Sequence, residues 1–211
     1  MEKDSRPYTR NQLESAALSI ESTTPREGRD IDEYVRDLGI RVEDIKGKVL
    51  DLGSSNGLAF ARSAKEKGID AQIVSFSPAF KDVSTRKNAR MGQDAAGRLM
   101  VAGMGEELPF SDNSFNTVLI LHVAQYLNDE ERLRRFLFEA VRVLQPGGSA
   151  YIGPLSGQVP FTTTTDAYRK VMSVEGISRI LDGKALTVGQ DGASLYKSRH
   201  DVAHIIKNSG L

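Results

Sequence analysis

An α/β fold, with a mostly parallel sheet covered by helices on both faces, is the architecture this sequence predicts, and three observations carry it. Apolar strand-like runs alternate with helical patterns between residues 48 and 153. The first two runs start about two dozen residues apart, at Lys48 and Gln72, the spacing of a right-handed strand, helix, strand crossover. Leu133, Phe136, Leu137, Ala140, Val141 and Leu144 then fall on one helical face, between strand-like runs at 115–121 and 149–153.

Each element has a local reason. Residues 1–30 are polar and interrupted by Pro7, Pro25 and Gly28, so they read as an arm with one short helix at 11–20, ahead of an α/β domain over 31–211. A helix over 31–38 ends at Gly39, and the first strand covers 48–52. Helix 58–67 stops at Gly68, strand 72–76 follows, and a helix over 81–90 precedes a short strand at 99–102. Asn128 with Glu131 offers a capping-box-like start to the next helix, and Pro146-Gly-Gly148 stops it. Beyond Gly153 the pattern weakens: a helix over 165–181, a hairpin over 186–196 around Asp191-Gly192, and a last helix over 199–209 are the expectations.

Composition narrows the function classes. The 211 residues carry 28 Lys plus Arg and 28 Asp plus Glu, so no overall field draws the chain to nucleic acid or anionic lipid. With no cysteine, disulfides, thiolate zinc sites and cysteine nucleophiles are excluded, which fits a reducing compartment with cytoplasm as the default. No apolar run approaches the ~20 residues that span a bilayer, and no secretory signal opens the chain, so a soluble protein is expected.

In an open parallel sheet, ligands bind outside the carboxyl ends of the strands, where the strand order reverses. The loop after the first strand, Lys48-Val-Leu-Asp51-Leu-Gly53-Ser-Ser55-Asn-Gly57, lets backbone approach a ligand at Gly53 and eases into a helix at Gly57. It contains neither G-x-x-x-x-G-K-[ST] nor G-x-G-x-x-G, which argues against a P-loop hydrolase and a dinucleotide site. Two further segments follow in order: Gly103-Met104-Gly105-Glu-Glu-Leu-Pro-Phe-Ser-Asp-Asn-Ser-Phe-Asn116, and Val141-Arg-Val-Leu-Gln-Pro-Gly-Gly148. Together the three resemble the motifs of the class I S-adenosylmethionine-dependent methyltransferases, in particular their small-molecule, type 11-like branch, over about half the chain. The resemblance implies a Rossmann-like fold, S-adenosylmethionine as methyl donor and a small-molecule acceptor. It also implies donor contacts at Asp51, Gly53, Ser55 and Gly57 for the methionine end, and at Ser75, Phe76, Met104 and Gly105 for the adenosine.

The chain departs from the family pattern at three acidic positions, which hold Ser75, Met104 and Asn116. A hydroxyl at Ser75 cannot replace a carboxylate that accepts two charge-assisted bonds from ribose, and Glu106 and Glu107 are the nearby carboxylates that could compensate. These departures keep a second reading open, a catalytically inactive methyltransferase-like binding or scaffolding domain.

The segment Leu121-His122-Val-Ala-Gln125-Tyr126-Leu127 follows the fourth strand, where the family places the methyl group. His122 is the candidate base there by its near-neutral pKa, with helix packing as the competing role. His200 and His204 would share a helical face, but a third metal ligand is missing. The basic excess over 81–98 lacks interleaved aromatics and reads as an ordinary charged helix surface rather than an RNA contact, and Thr162 to Thr165 lie where the family builds substrate-binding insertions. The family fold normally closes with two further strands after a helix like 199–209. An uncovered sheet edge would call for a second copy, a partner chain or the N-terminal arm.

Overall fold

The computed structural model describes residues 28–54, 58–78, 99–123, 127, 130–153 and 203–207. Helix α1 (Ile31–Leu38) starts at a full capping box. The Asp30 carboxylate accepts from the Glu33 N–H, the Glu33 carboxylate accepts from the Asp30 N–H, and Gly39 closes the helix in the left-handed region. A short 3-10 turn (Val42–Asp44) leads to β1 (Gly47–Leu52). Next come α2 (Ala59–Glu66), β2 (Ala71–Phe76), β3 (Leu99–Val101), β4 (Phe115–Leu121), α3 (Glu130–Val143), β5 (Leu144–Gly153) and β6 (Ala203–Ile206).

The six strands form one sheet in the order β3-β2-β1-β4-β5-β6. Pairing is parallel from β3 through β5, and β6 runs antiparallel beside β5. The chain therefore reverses direction across the sheet between β1 and β4, which opens a crevice beyond the carboxyl ends of those strands.

Alternation along the strands feeds two cores. On one face Leu50, Leu52, Val74, Phe76, Val118 and Ile120 pack with Leu133, Phe136, Leu137 and Ala140 of α3. On the other, Val49, Ile73, Leu119 and Leu121 pack with Ile31, Tyr34 and Leu38 of α1 and with Phe60 and Ala64 of α2. Helices on both faces are thus what lets the parallel strands be apolar on both sides. Among the described residues no helix is long and apolar enough to cross a membrane.

The structure corrects the reading in two places. The segment expected as a last helix over 199–209 contains β6, whose Ser149↔Ile206 to Ile152↔Ala203 pairing gives β5 an antiparallel neighbour. Ile205 and Ile206 are β-branched and favour a pleated surface, and Ile205 is fully buried in the core that holds Ala150 and Ile152. Leu144, expected on the helix face, begins β5 instead, opposite Phe115, because the helix ends one residue earlier. Lys207 fastens the new strand: its ammonium donates to the carbonyls of Val141 and Leu144 at 3.1 and 2.9 Å and to Asn113 Oδ1 at 2.8 Å, capping the carboxyl end of α3. The expected helices at 11–20, 81–90 and 165–181, the hairpin at 186–196 and the Asn128 cap lie outside the described residues.

Candidate functional site

Asp51, near the carboxyl end of β1, lies at the switch point between β2 and β4. It pairs in register with Ser75 of β2 and Leu119 of β4, so these three share one face of the sheet, the face covered by α1. Asp51 is 1% exposed. Its Oδ1 accepts from the Tyr34 hydroxyl at 2.5 Å, and its Oδ2 is buried with no hydrogen-bond partner among the described residues. Burial pushes the carboxyl up to about 7, against a smaller downward pull from the Tyr34 bond. Tyr34 itself is held well above the ordinary phenol range, first by burial and then by the Asp51 charge, so it stays protonated and donates.

Gly53 makes the turn that follows. At φ 95 it lies where only glycine is unstrained, and a Cβ there would sit 2.1 Å from Val123 Cγ2. The turn is pinned to the neighbouring strand: Gly53 and Ser54 both donate to the Phe76 carbonyl, at 2.7 and 3.2 Å. One glycine therefore brings the ends of β1, β2 and the segment after β4 together. Ser55 and Gly57 lie outside the described residues.

On the β2 side Ser75 and Ser77 are buried, facing the same way as Asp51. The Phe76 ring points the other way, into the core, edge-on to Phe110 at 5.9 Å. A Cβ on Gly103 would meet that ring at 2.6 Å, which is why the backbone after β3 runs so close over Phe76. Met104 follows, and its carbonyl accepts from the Glu107 N–H at 3.1 Å. Gly105 packs on α3, since a Cβ there would meet Phe136 Cε2 at 2.3 Å.

The carboxylates named as substitutes are placed differently. Glu106 faces α3 and accepts from Arg132 Nε at 2.7 Å, with both side chains mostly buried. Glu107 is exposed. The remainder of this loop is fastened to α3 through Arg142, which donates to the Leu108 and Phe110 carbonyls and to Glu139, while Glu139 accepts from the Leu108 N–H. Asn116 lies at the opposite end of the sheet, where its side chain accepts from the Lys48 N–H at 2.8 Å and donates to Gln145 at 2.9 Å. Its departure from an acidic residue therefore falls far from the crevice.

His122 follows β4 with its backbone in the left-handed region at φ 59, and its N–H donates to the Gly153 carbonyl at 2.7 Å. The imidazole is partly exposed, with Nε2 4.0 Å from Oδ2 of buried Asp37. Asp37 also accepts from Arg36 at 2.7 and 3.2 Å. Sequence reasoning missed both α1 residues that reach the crevice, Tyr34 and Asp37. They lie three apart on the helix, and the signal was an acid and a phenol on its otherwise apolar, buried face of Ile31 and Leu38. His204 is in β6, stacked on Tyr151 at 4.3 Å, so the helical pair with His200 does not form. Among the described residues no group of three metal-ligating side chains gathers.

Comparison with known proteins accords with this geometry. The profile of the family described as "Methyltransferase domain" matches residues 50–152. The Bacillus subtilis protein YrhH, named as a candidate methyltransferase, is 33% identical over 50% of this chain and 56% of its own. The ubiquinone/menaquinone biosynthesis C-methyltransferase UbiE of Rickettsia prowazekii is 26% identical over 85% of this chain and 73% of its own. A solved Methanococcus maripaludis structure, named as a candidate S-adenosyl-L-methionine-dependent methyltransferase, superposes with a TM-score of 0.51 at 14% identity, covering 99% of this chain and 96% of that one, a likeness of fold. The chain spans 56% of YrhH and 47% of a demethylmenaquinone methyltransferase from Renibacterium salmoninarum, about half the length of these relatives. With three ordered motifs, a profile match across them and the sheet order on which they sit, residues 50–152 form a methyltransferase domain of the class I S-adenosylmethionine-dependent family.

Proposed function

We propose that this protein transfers a methyl group from S-adenosylmethionine to a small-molecule acceptor. One observation carries the reading: a buried carboxylate oxygen, Asp51 Oδ2, without a partner among the described residues, beside the glycine turn at the switch point. A buried acceptor left unsatisfied costs about 1 to 3 kcal/mol, so a cationic ligand group that fills it gains that back on binding. The ammonium of the methionine moiety has that chemistry. Asp51 and the Gly53 backbone would hold this end, with Ser55 and Gly57 completing the loop, while Ser75, Ser77 and the Gly103-Met104-Gly105 backbone would flank the adenosine.

When bound, the donor supplies a sulfonium methyl as the electrophile. The chain's own part is to align an acceptor and, where the acceptor carries a proton, to take it; His122, backed by Asp37, is the group at hand. A small acceptor is supported by the quinone-pathway relative, whose name gives it as a C-methyltransferase. Titration calorimetry with S-adenosylhomocysteine tests the reading directly: absence of binding at millimolar ligand refutes it.

One observation favours a second reading, a methyltransferase-like domain that binds without turnover. The β2 end offers Ser75 where a ribose-binding carboxylate is usual, and Glu106 is taken up by Arg132. Methyl transfer to any acceptor, followed as release of S-adenosylhomocysteine, eliminates it.

A further inference from the structure

Helix α1 contributes to the crevice a side chain that none of the three motifs contains. Tyr34 is 3% exposed, and its ring stacks on Phe60 of α2 with centroids 4.4 Å apart and planes 30° apart. Neighbours on two helices therefore fix the direction in which its hydroxyl points. That direction is Asp51 Oδ1, 2.5 Å away. The carboxylate is consequently asymmetric: one oxygen accepts from a neutral donor, and the other is buried without a partner among the described residues.

We propose that Tyr34 is a positioning residue for the donor site: by holding Oδ1 it fixes the plane of the Asp51 carboxylate and leaves Oδ2 as a single acceptor for one cationic group. This rests on the donor-binding reading above and makes it narrower. A carboxylate with both oxygens free is the partner of a forked guanidinium, which binds through two parallel bonds. A carboxylate with one oxygen occupied suits a one-point cation, a primary ammonium. Tyr34 thereby selects the chemical class of ligand group at this end of the site. Among the described residues few other charges face Asp51. From α1 there is Tyr34, with Arg29 and Glu33 acting on the phenol behind it. From β2 and β4 the register partners are Ser75 and Leu119, which carry no charge.

The test uses ligand-free and ligand-bound protein. Tyr34→Phe keeps the ring on Phe60 and deletes the hydroxyl. In the ligand-free protein, carbon-detected NMR of the Asp51 carboxyl should show its titration midpoint rise in Tyr34→Phe, because the bond that favoured the ionised form is gone. By calorimetry at pH 7.5, S-adenosylhomocysteine should bind roughly tenfold more weakly, the loss expected for one charge-assisted bond at the lower end of its range. In an Asp51→Asn background the same change should have little further effect.

An unmoved midpoint, or unchanged affinity in a wild-type protein that binds, overturns this proposal alone. A wild-type protein that binds no S-adenosylhomocysteine overturns the donor reading and this proposal with it. Should Tyr34→Phe fail to fold, 3-fluorotyrosine placed at Tyr34 reads the same coupling, since a more acidic phenol should lower the Asp51 midpoint; no movement refutes it.

Discussion

The two halves of the crevice are built from different chemistry. At the ends of β1 and β4, under α1, the structure gathers two buried carboxylates, Asp51 and Asp37, with a phenol and an imidazole set against them. At the ends of β2 and β3 it places buried Ser75 and Ser77, backbone running over the Phe76 ring, and Met104; the mostly buried carboxylate of Glu106 is committed to Arg132. The first half can recognise charge and the second chiefly shape. A ligand bound here would be held by its cationic end, with the nucleoside contributing contact area and weaker neutral hydrogen bonds. The contrast also says where a change in sequence will be felt.

The largest effect is expected where both halves meet. Gly53→Ala must place a Cβ at φ 95 and 2.1 Å from Val123 Cγ2, and should cost about 2 to 4 kcal/mol of stability by denaturant unfolding. A loss under ~1 kcal/mol would show that the turn is looser than its contacts imply. Next is Asp51→Asn, which keeps the shape of the charged half and removes its charge. Affinity for S-adenosylhomocysteine should fall roughly ten- to a hundredfold, from the loss of about 1.5 to 3 kcal/mol. The same variant alters the pH dependence of the empty protein. Asp51 titrates at about 7 in the fold against an ordinary 3.8, so the folded chain binds this proton more tightly than the unfolded one. Its contribution to stability is therefore full below about pH 4 and is lost as pH rises through 7. Urea unfolding at pH 5 and pH 8 should show a smaller drop in Asp51→Asn than in wild type.

Smaller again is Ser75→Asp, which restores to the second half the carboxylate it lacks. Because residue 75 sits in register beside Asp51, two buried carboxylates would share a site and one would resist ionisation. The gain in S-adenosylhomocysteine affinity should then be no more than about tenfold, worth ~1.4 kcal/mol, and should emerge only above pH 7. Equal affinity at pH 7 and pH 9 would mean that position 75 makes no contact with the ligand, and the comparison between halves would need redrawing.

Much of this fold was legible in the order of residues, and the exceptions share a cause. Strands β1, β2 and β4 are written in local apolar runs, and α3 in the spacing of Leu133, Phe136, Leu137, Ala140 and Val141, all of which end up buried. The Asp51 to Gly53 turn was readable because a positive φ at a strand end needs glycine. What failed was decided at a distance. Residues 203–206 become a strand only because β5, some 50 residues earlier in sequence, offers an edge, and a four-residue segment such as Ala-His-Ile-Ile cannot announce that by itself. The Tyr34 to Asp51 bond joins residues 17 apart on different elements, so no periodicity marks it. Asn116 counted among the departures because it closes a motif, yet strand direction carries it to the far end of the sheet.

The left-handed backbone at His122 sets two kinds of fitness against each other. A non-glycine residue at φ 59 is strained by about 1 kcal/mol, and glycine would relieve most of it. His122→Gly should therefore raise the unfolding midpoint slightly while removing the only imidazole that the described residues bring to the crevice. A laboratory selection for heat resistance alone would be expected to discard this histidine early, and its retention under selection for turnover would be a sign of what it is for.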